Sequence, residues 1–226
     1  MGKQITAVIF DLDATLLDTE PNWYLADKKM LQEYGIDFTM EMKRKYIGQS
    51  IKDMIDDLKK TYDISASYDE LYEKKNGYYL EIAKNNTMMF PEMKNVFNRL
   101  LDENLTFALA SGTAKKVIEA LFEDMEIKKF FKVLVSSEEV NAGKPDPAVF
   151  LETASRINTA PENILVFEDS HHGVEAAIRA GMSVVAVPYL ITRPLNAWFH
   201  KADLLFENGM TSLNWEDIEK RFFRQS

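Results

Sequence analysis

The chain has 226 residues, 46% hydrophobic and 12% aromatic, enough to bury a sizeable core in one large domain or in one domain carrying a smaller insert. A net charge of −9 argues against nonspecific binding to nucleic acid or to an anionic membrane. The absence of cysteine excludes disulfides, thiolate catalysis and Cys-zinc sites, and with only His171, His172 and His200 a His-rich metal centre is not expected.

The N-terminus has no basic region followed by a long apolar core, and no apolar run approaches the roughly 20 residues that span a bilayer. A soluble cytoplasmic protein is therefore expected. Met1-Gly2-Lys3-Gln4-Ile5-Thr6 formally fits a myristoylation pattern, but Ile5 already belongs to the first predicted strand. Asn85-Asn86-Thr87 fits a glycosylation sequon, which carries no weight without a secretion signal.

The first element is the apolar run Ile5 to Phe10, broken only by Thr6 and followed at once by Asp11 and Asp13. A short run with no polar face predicts a strand buried on both sides. In an open parallel sheet, ligands sit outside the carboxyl ends of the strands, so a carboxylate pair placed there is a site candidate. Helical spacing then dominates. Trp23, Ala26, Met30, Leu31 and Tyr34 recur on one face, and Gly35 ends the run. Ser50, with Asp53 three residues on, caps a helix carrying Ile51, Met54, Ile55 and Leu58. Ser67 with Glu70 repeats the device for Tyr68, Leu71, Tyr72, Tyr79 and Ile82. No strand signal interrupts Pro21 to Asn85, which predicts a small helical unit inserted after the first strand.

From Pro91 helices and strands alternate. Met93, Val96, Phe97, Leu100 and Leu101 form a helical stripe, and Leu105 to Ala110 is a strand ending in Ser111-Gly112-Thr113. Val117, Ile118, Leu121, Phe122 and Met125 form the next helix, then Val133 to Val135 a short strand. Ala142-Gly143-Lys144-Pro145-Asp146-Pro147 is a loop. After a helix bearing Val149, Phe150, Ala154 and Ile157, the strand Ile164 to Phe167 ends in Glu168-Asp169-Ser170. A helix stopped by Gly181, a strand from Ser183 to Val187 and a final edge strand from Leu204 to Phe206 complete the reading. Such alternation implies a parallel α/β sheet with right-handed crossovers, which gathers Asp11/Asp13, Ser111/Thr113 and Glu168/Asp169 on one sheet edge.

That many carboxylates together repel one another and need a cation; an all-oxygen set favours a hard ion, Mg²⁺. The Ser111 hydroxyl, the Gly112 and Thr113 amides at a helix start, and Lys144 on its constrained loop suit a highly charged phosphoryl group.

Asp11-Leu12-Asp13-Ala14-Thr15-Leu16, Ser111, Lys144 within GKPDP, and Glu168-Asp169 within FEDSHHGVEAAIRAGM fall in order on the predicted strand ends. In these four motifs the chain resembles the haloacid dehalogenase superfamily, in its subgroup of phosphatases and β-phosphoglucomutase-like enzymes with a helical cap. The resemblance implies a Rossmann-like parallel sheet core flanked by helices, residues 1–16 and 87–226, with an all-helical cap domain over residues 17–86. It implies a Mg²⁺-dependent phosphatase acting on a small phosphomonoester, a sugar phosphate or related metabolite. Asp11 would be the nucleophile and Asp13 the general acid and base. Ser111, Gly112, Thr113 and Lys144 would bind the phosphoryl group. Asp11, Asp13 (through its backbone carbonyl), Asp169 and, through water, Glu168 would hold the metal. A monomer is expected.

Relatives usually carry glycine where this chain has Ala14; with Thr15 and both acids intact, a negative φ is expected there. A β-phosphoglucomutase-type phosphotransferase would tend to carry a histidine where Trp23 stands and an arginine in the cap loop, which here reads Gln49-Ser50-Ile51. Both departures favour hydrolysis. A module that binds Mg²⁺ and phosphate without turnover is the third alternative. Asp18 or Thr19 is expected to cap the first cap helix, while Glu20 could face the site and Trp23 fits pocket and core equally. His171 and His172 read as loop residues at a helix start.

Overall fold

The computed structural model describes residues 4–47, 49–84 and 86–224. The first three residues of the myristoylation pattern, Gly48 of the cap loop and Asn85 of the sequon lie outside them. Six strands form one parallel sheet: β1 (Ala7–Phe10), β2 (Thr106–Ser111), β3 (Phe131–Ser136), β4 (Ile164–Glu168), β5 (Ser183–Ala186) and β6 (Leu204–Leu205), in the order β3-β2-β1-β4-β5-β6. The α/β sheet flanked by helices is as the sequence predicts, and all six strands fall where the apolar runs place them.

Successive residues of β1 point to opposite faces. Val8 and Phe10 join the core beneath α5 (Pro91–Asp102) and α6 (Lys115–Asp124), with Val96, Phe97, Ile118 and Phe122. Ala7 and Ile9 join the core beneath α7 (Ala148–Ile157) and α8 (His171–Arg179), with Val149, Phe150, Val174 and Ala177. A strand covered on both sides has no polar position to spare, which is why the run reads as continuous hydrophobicity.

Between β1 and β2 stand four further helices: α1 (Glu20–Gln32), α2 (Met40–Arg44), α3 (Ile51–Tyr62) and α4 (Tyr68–Ala83). They share a third core, with Met30, Leu31, Phe38, Ile55, Leu58 and Leu71 buried together. The Ser50 and Ser67 side chains accept from the amides of Asp53 and Glu70, each at 3.1 Å, the capping read from the sequence. Two helices escape the sequence reading. The five-residue α2 is too short to show periodicity and is set by Thr39, whose hydroxyl accepts from the Met42 amide at 3.3 Å. At the C-terminal end, α9 (Trp215–Phe222) is started by Asn214, which accepts from the Asp217 amide at 3.0 Å, and it buries Ile218. Among the described residues no helix is long and apolar enough to cross a membrane.

Candidate active site

The sheet order makes β2, β1 and β4 neighbours, so their carboxyl ends converge on one cavity of about 220 Å³. Asp11 leaves β1 with its amide donating to the Phe167 carbonyl of β4 at 3.0 Å, and its side chain is buried. A tight loop follows, closed by bonds from the Leu16 amide to the Asp11 carbonyl and from the Leu17 amide to the Leu12 carbonyl. That loop turns on Ala14, whose φ is +58°. The expected negative φ is thus overturned: the position is left-handed, and alanine holds it against the steric preference that glycine lacks.

Lys144 reaches in from the loop after β3 and bridges two carboxylates, Asp11 Oδ1 at 2.5 Å and Glu168 Oε1. Burial opposes its charge, but the two acids outweigh it and hold Lys144 above the usual lysine range. Burial pushes Asp11 up to about 8; Lys144 counters this, while Glu168 and Asp13 add to it. Asp169 is raised in the same sense by burial and by the neighbouring Glu168 and Asp11. Oxygens of Asp11, Glu168 and Asp169 lie within 4.8 Å of one another. Three converging carboxylates, two of them pushed up by burial and mutual repulsion, are a donor set that fits a hard divalent cation such as Mg²⁺. Glu168 is the most committed of the three, since its other oxygen accepts from the Ser170 amide at 3.0 Å and the Ser170 hydroxyl at 3.1 Å. Gly173 makes room for it: a Cβ there would stand 1.8 Å from Glu168 Oε1. Thr15 donates to Asp169 Oδ1 at 3.2 Å.

The Asp13 carboxylate lies outside that cluster and turns toward the cap. Its Oδ1 accepts from the Thr19 hydroxyl and the Trp23 indole, both at 2.7 Å, and its Oδ2 accepts from the Thr113 hydroxyl. Thr19 does occupy the cap position of α1, but its side chain serves Asp13 and makes no capping bond. Trp23 satisfies both of its readings, stacking on Tyr79 with ring centres 3.7 Å apart while lining the cavity. Gly112 and Thr113 line the cavity; Ser111 is buried behind them, and its hydroxyl accepts from the Thr113 amide at 3.0 Å. The helix that follows begins only at Lys115. His171 opens α8 as expected, and His172 beside it also lines the cavity.

The far wall comes from the helical insert: Glu20 and Trp23 of α1, Lys43 of α2, Tyr46, Gln49, Ser50, and Lys75 of α4. Ser50 therefore caps α3 and faces the site at once. Lys43 and Lys75 escaped the sequence reading because each looks like one more lysine on a charged helix. Their signal was indirect, an Asp27 on the apolar stripe of α1. Asp27 is fully buried and binds both, Lys43 through Oδ2 at 2.9 Å and Lys75 through Oδ1.

The sequence model described as haloacid dehalogenase-like hydrolase matches residues 8–187. A phosphorylated carbohydrates phosphatase of Thermotoga maritima is 31% identical over 194 residues, covering 84% of this chain and 87% of that protein. A phosphoglycolate phosphatase of Nitrosospira multiformis is 30% identical over 194 residues, covering 82% and 84%. The solved structure of a beta-phosphoglucomutase from Clostridium difficile superposes with a TM-score of 0.78 at 24% identity, covering 96% of this chain and 97% of that one, which speaks for the fold. The four motifs, their convergence at the carboxyl ends of β1, β2 and β4, and these likenesses agree: the chain belongs to the haloacid dehalogenase-like hydrolases.

Proposed function

We propose that this chain is a Mg²⁺-dependent phosphatase of a small phosphorylated carbohydrate, working through an aspartyl-phosphate intermediate on Asp11. The observation that carries the reading is the presence in one small cavity of Asp11, ion-paired to Lys144, and of Asp13, turned toward the cap. An Asp11 oxygen attacks phosphorus, the bond from phosphorus to the substrate oxygen breaks, and Asp13 gives that oxygen its proton. Water then attacks phosphorus, Asp13 takes the water's proton, and Asp11 leaves as a free carboxylate with inorganic phosphate. Lys144, the Gly112 amide and the Ser111 hydroxyl would serve the charge on the transferring group, with the Thr113 amide holding the Ser111 oxygen in place. Asp11, Asp169 and the Asp13 carbonyl would hold the metal, and Glu168, both of whose oxygens are engaged, would support them from behind. Mg²⁺ supplies neutralisation of charge on the phosphoryl oxygens.

Residues 17–86 act as a cap domain on a core of residues 1–16 and 87–226. Supporting this division are the separate hydrophobic core of α1 to α4 and the wall they contribute to the cavity. Closing over the substrate would exclude water and select the leaving group.

The test is phosphate release from phosphorylated sugars, polyols and small acids with Mg²⁺, with EDTA and with Asp11→Asn. Turnover that needs the metal and disappears in Asp11→Asn is expected. Conversion of a hexose 1-phosphate to its 6-phosphate isomer with little release would replace hydrolysis by the mutase reading. Binding of Mg²⁺ with no turnover on any compound would leave a non-catalytic module.

A further inference from the structure

The chain passes into and out of the helical insert beside Leu17 and Met89, which pair as a short bridge. The insert also meets the rest of the molecule where α4 lies against α6. There the Tyr72 hydroxyl donates to Glu138 Oε1 at 2.6 Å, and Lys116 pairs with Glu73, both exposed. The Tyr72 ring is partly buried and packs against the core of the insert and the core beneath α5 and α6 alike. Burial and the Glu138 carboxylate push its phenol above the usual tyrosine range, so it stays protonated and donates.

Glu138 does more than receive Tyr72. It stands on the single turn Ser137–Glu139 that follows β3, and its other oxygen accepts from the Lys115 amide at 2.7 Å. That amide opens α6, whose cap position is held by Ala114 with no side-chain bond and whose first turn carries no acid. The first amides of a helix lack partners within it, so a carboxylate from another segment serves as the cap. Ser136 grips the same stretch: its hydroxyl donates to the Thr113 carbonyl at 2.7 Å and accepts from the Glu138 amide at 3.2 Å. Thr113 in turn gives its hydroxyl to Asp13 and its amide to Ser111. One continuous set of bonds therefore runs from Tyr72 of the insert to the phosphoryl-binding residues and to Asp13. Tyr72, Glu138 and Ser136 do not line the cavity, so whatever they do for the site they do through its other residues.

We propose that Glu138 is a positioning residue that couples docking of the helical insert to the phosphoryl-binding segment. With Tyr72 in place, Glu138 holds the start of α6 and so fixes Gly112, Thr113 and, through the Thr113 hydroxyl, the Asp13 carboxylate. When the insert lifts and Tyr72 leaves, that segment loosens. This rests on the phosphatase reading and on residues 17–86 acting as a cap, and it names the contact through which the cap reaches the chemistry.

The experiment measures amide hydrogen exchange by mass spectrometry over residues 68–83 and 111–118, together with kcat and KM for p-nitrophenyl phosphate with Mg²⁺. The proteins are the wild type, Tyr72→Phe, Glu138→Gln, Glu138→Ala and Lys116→Ala. Tyr72→Phe removes one hydroxyl and keeps the ring. It should speed exchange of both stretches and raise KM, each by about threefold to tenfold, the worth of one hydrogen bond, with a smaller change in kcat. Glu138→Gln can keep both bonds and should stay close to the wild type, whereas Glu138→Ala should loosen 111–118 at least as much as Tyr72→Phe. Adding Tyr72→Phe to Glu138→Ala should loosen that stretch no further, since the two act as one path. Lys116→Ala breaks the neighbouring pair without touching Glu138 and should loosen 68–83 alone. Unchanged exchange of 111–118 in Tyr72→Phe overturns the proposal, and so does equal loosening of that stretch by Lys116→Ala. A Glu138→Gln variant as impaired as Glu138→Ala also overturns it, since the charge rather than the bonds would then matter. Failure of the phosphatase reading shows separately, as no metal-dependent release from p-nitrophenyl phosphate by the wild type, while the exchange rates still decide the coupling.

Discussion

Two small residues set the geometry around the acids, in opposite ways. Ala14 sits at φ +58° in the loop between Asp13 and Thr15, where an L-residue with a Cβ is strained by about 1–2 kcal/mol. Ala14→Gly removes that strain but adds freedom to the unfolded chain, so a net gain of about 0.5–1 kcal/mol is expected in urea unfolding. A loss of stability would mean that the alanine methyl packs well enough to outweigh its strain. Gly173 is the converse. A methyl there would collide with the Glu168 carboxylate, so Gly173→Ala must displace the acid that partners Lys144 and Ser170. The expected outcome is a protein that folds but binds Mg²⁺ at least tenfold more weakly, read by calorimetry, as is usual when the partners of ligand carboxylates are disturbed. The sequence singled out Ala14 as a departure but not the sign of its φ, because φ depends on how the loop closes onto Leu12 and Leu17. Nothing local marked Gly173, since the atom it avoids belongs to another element.

At the scale of elements, the insert is tied together by charge as well as by its apolar core. Asp27 on α1 joins α2 and α4 through Lys43 and Lys75, and all three side chains are buried. Removing the shared acid leaves two lysines buried without it, a loss of about 3–5 kcal/mol by the usual cost of breaking a buried pair. Asp27→Ala should therefore melt markedly lower in calorimetry, whereas breaking the exposed pair of Lys52 with Asp56 by Lys52→Ala should change stability by less than about 1 kcal/mol. Equal effects of the two substitutions would refute a buried role for Asp27. The capped helices α3 and α4 were legible, because a serine with an acid three residues on is a local device. The short α2 was not, since a single turn shows no period and its lysine gains meaning only against α1.

Over the whole molecule, the acids gathered by the sheet make stability depend on pH and metal together. Asp11 rises from an ordinary 3.8 to about 8 in the folded chain, and Asp169 moves the same way. Between those values the folded state binds more protons than the unfolded one, so metal-free stability falls as pH rises from about 4 to about 8. Glu139 acts elsewhere: depressed to about 2 by Ser136, Arg156 and Lys115 against its burial, it costs stability only below about pH 4.5. On the proposed reading Mg²⁺ would compete with the protons on Asp11 and Asp169, so it should bind more tightly, and raise Tm more, at pH 8 than at pH 5. Calorimetric melts with Mg²⁺ and with EDTA across that range check this. Asp11→Asn should flatten the EDTA profile, and a flat wild-type profile would show that the acids are not crowded as described.

The sequence by itself determined the fold class, the order of strands along the chain and the four motifs at their ends, because buried parallel strands must be apolar runs and the chemistry must follow where each run stops. It also placed the helical insert, whose two main caps are written in neighbouring residues. Only the tertiary structure decided that Asp13 faces Thr19, Trp23 and Thr113 while Asp11 faces Lys144, that Ala14 is left-handed, and that Glu20, Lys43, Asp27 and Lys75 meet above the cavity. Those arrangements join residues from separate elements, where the direction of each side chain depends on how helices pack, and no local pattern records that.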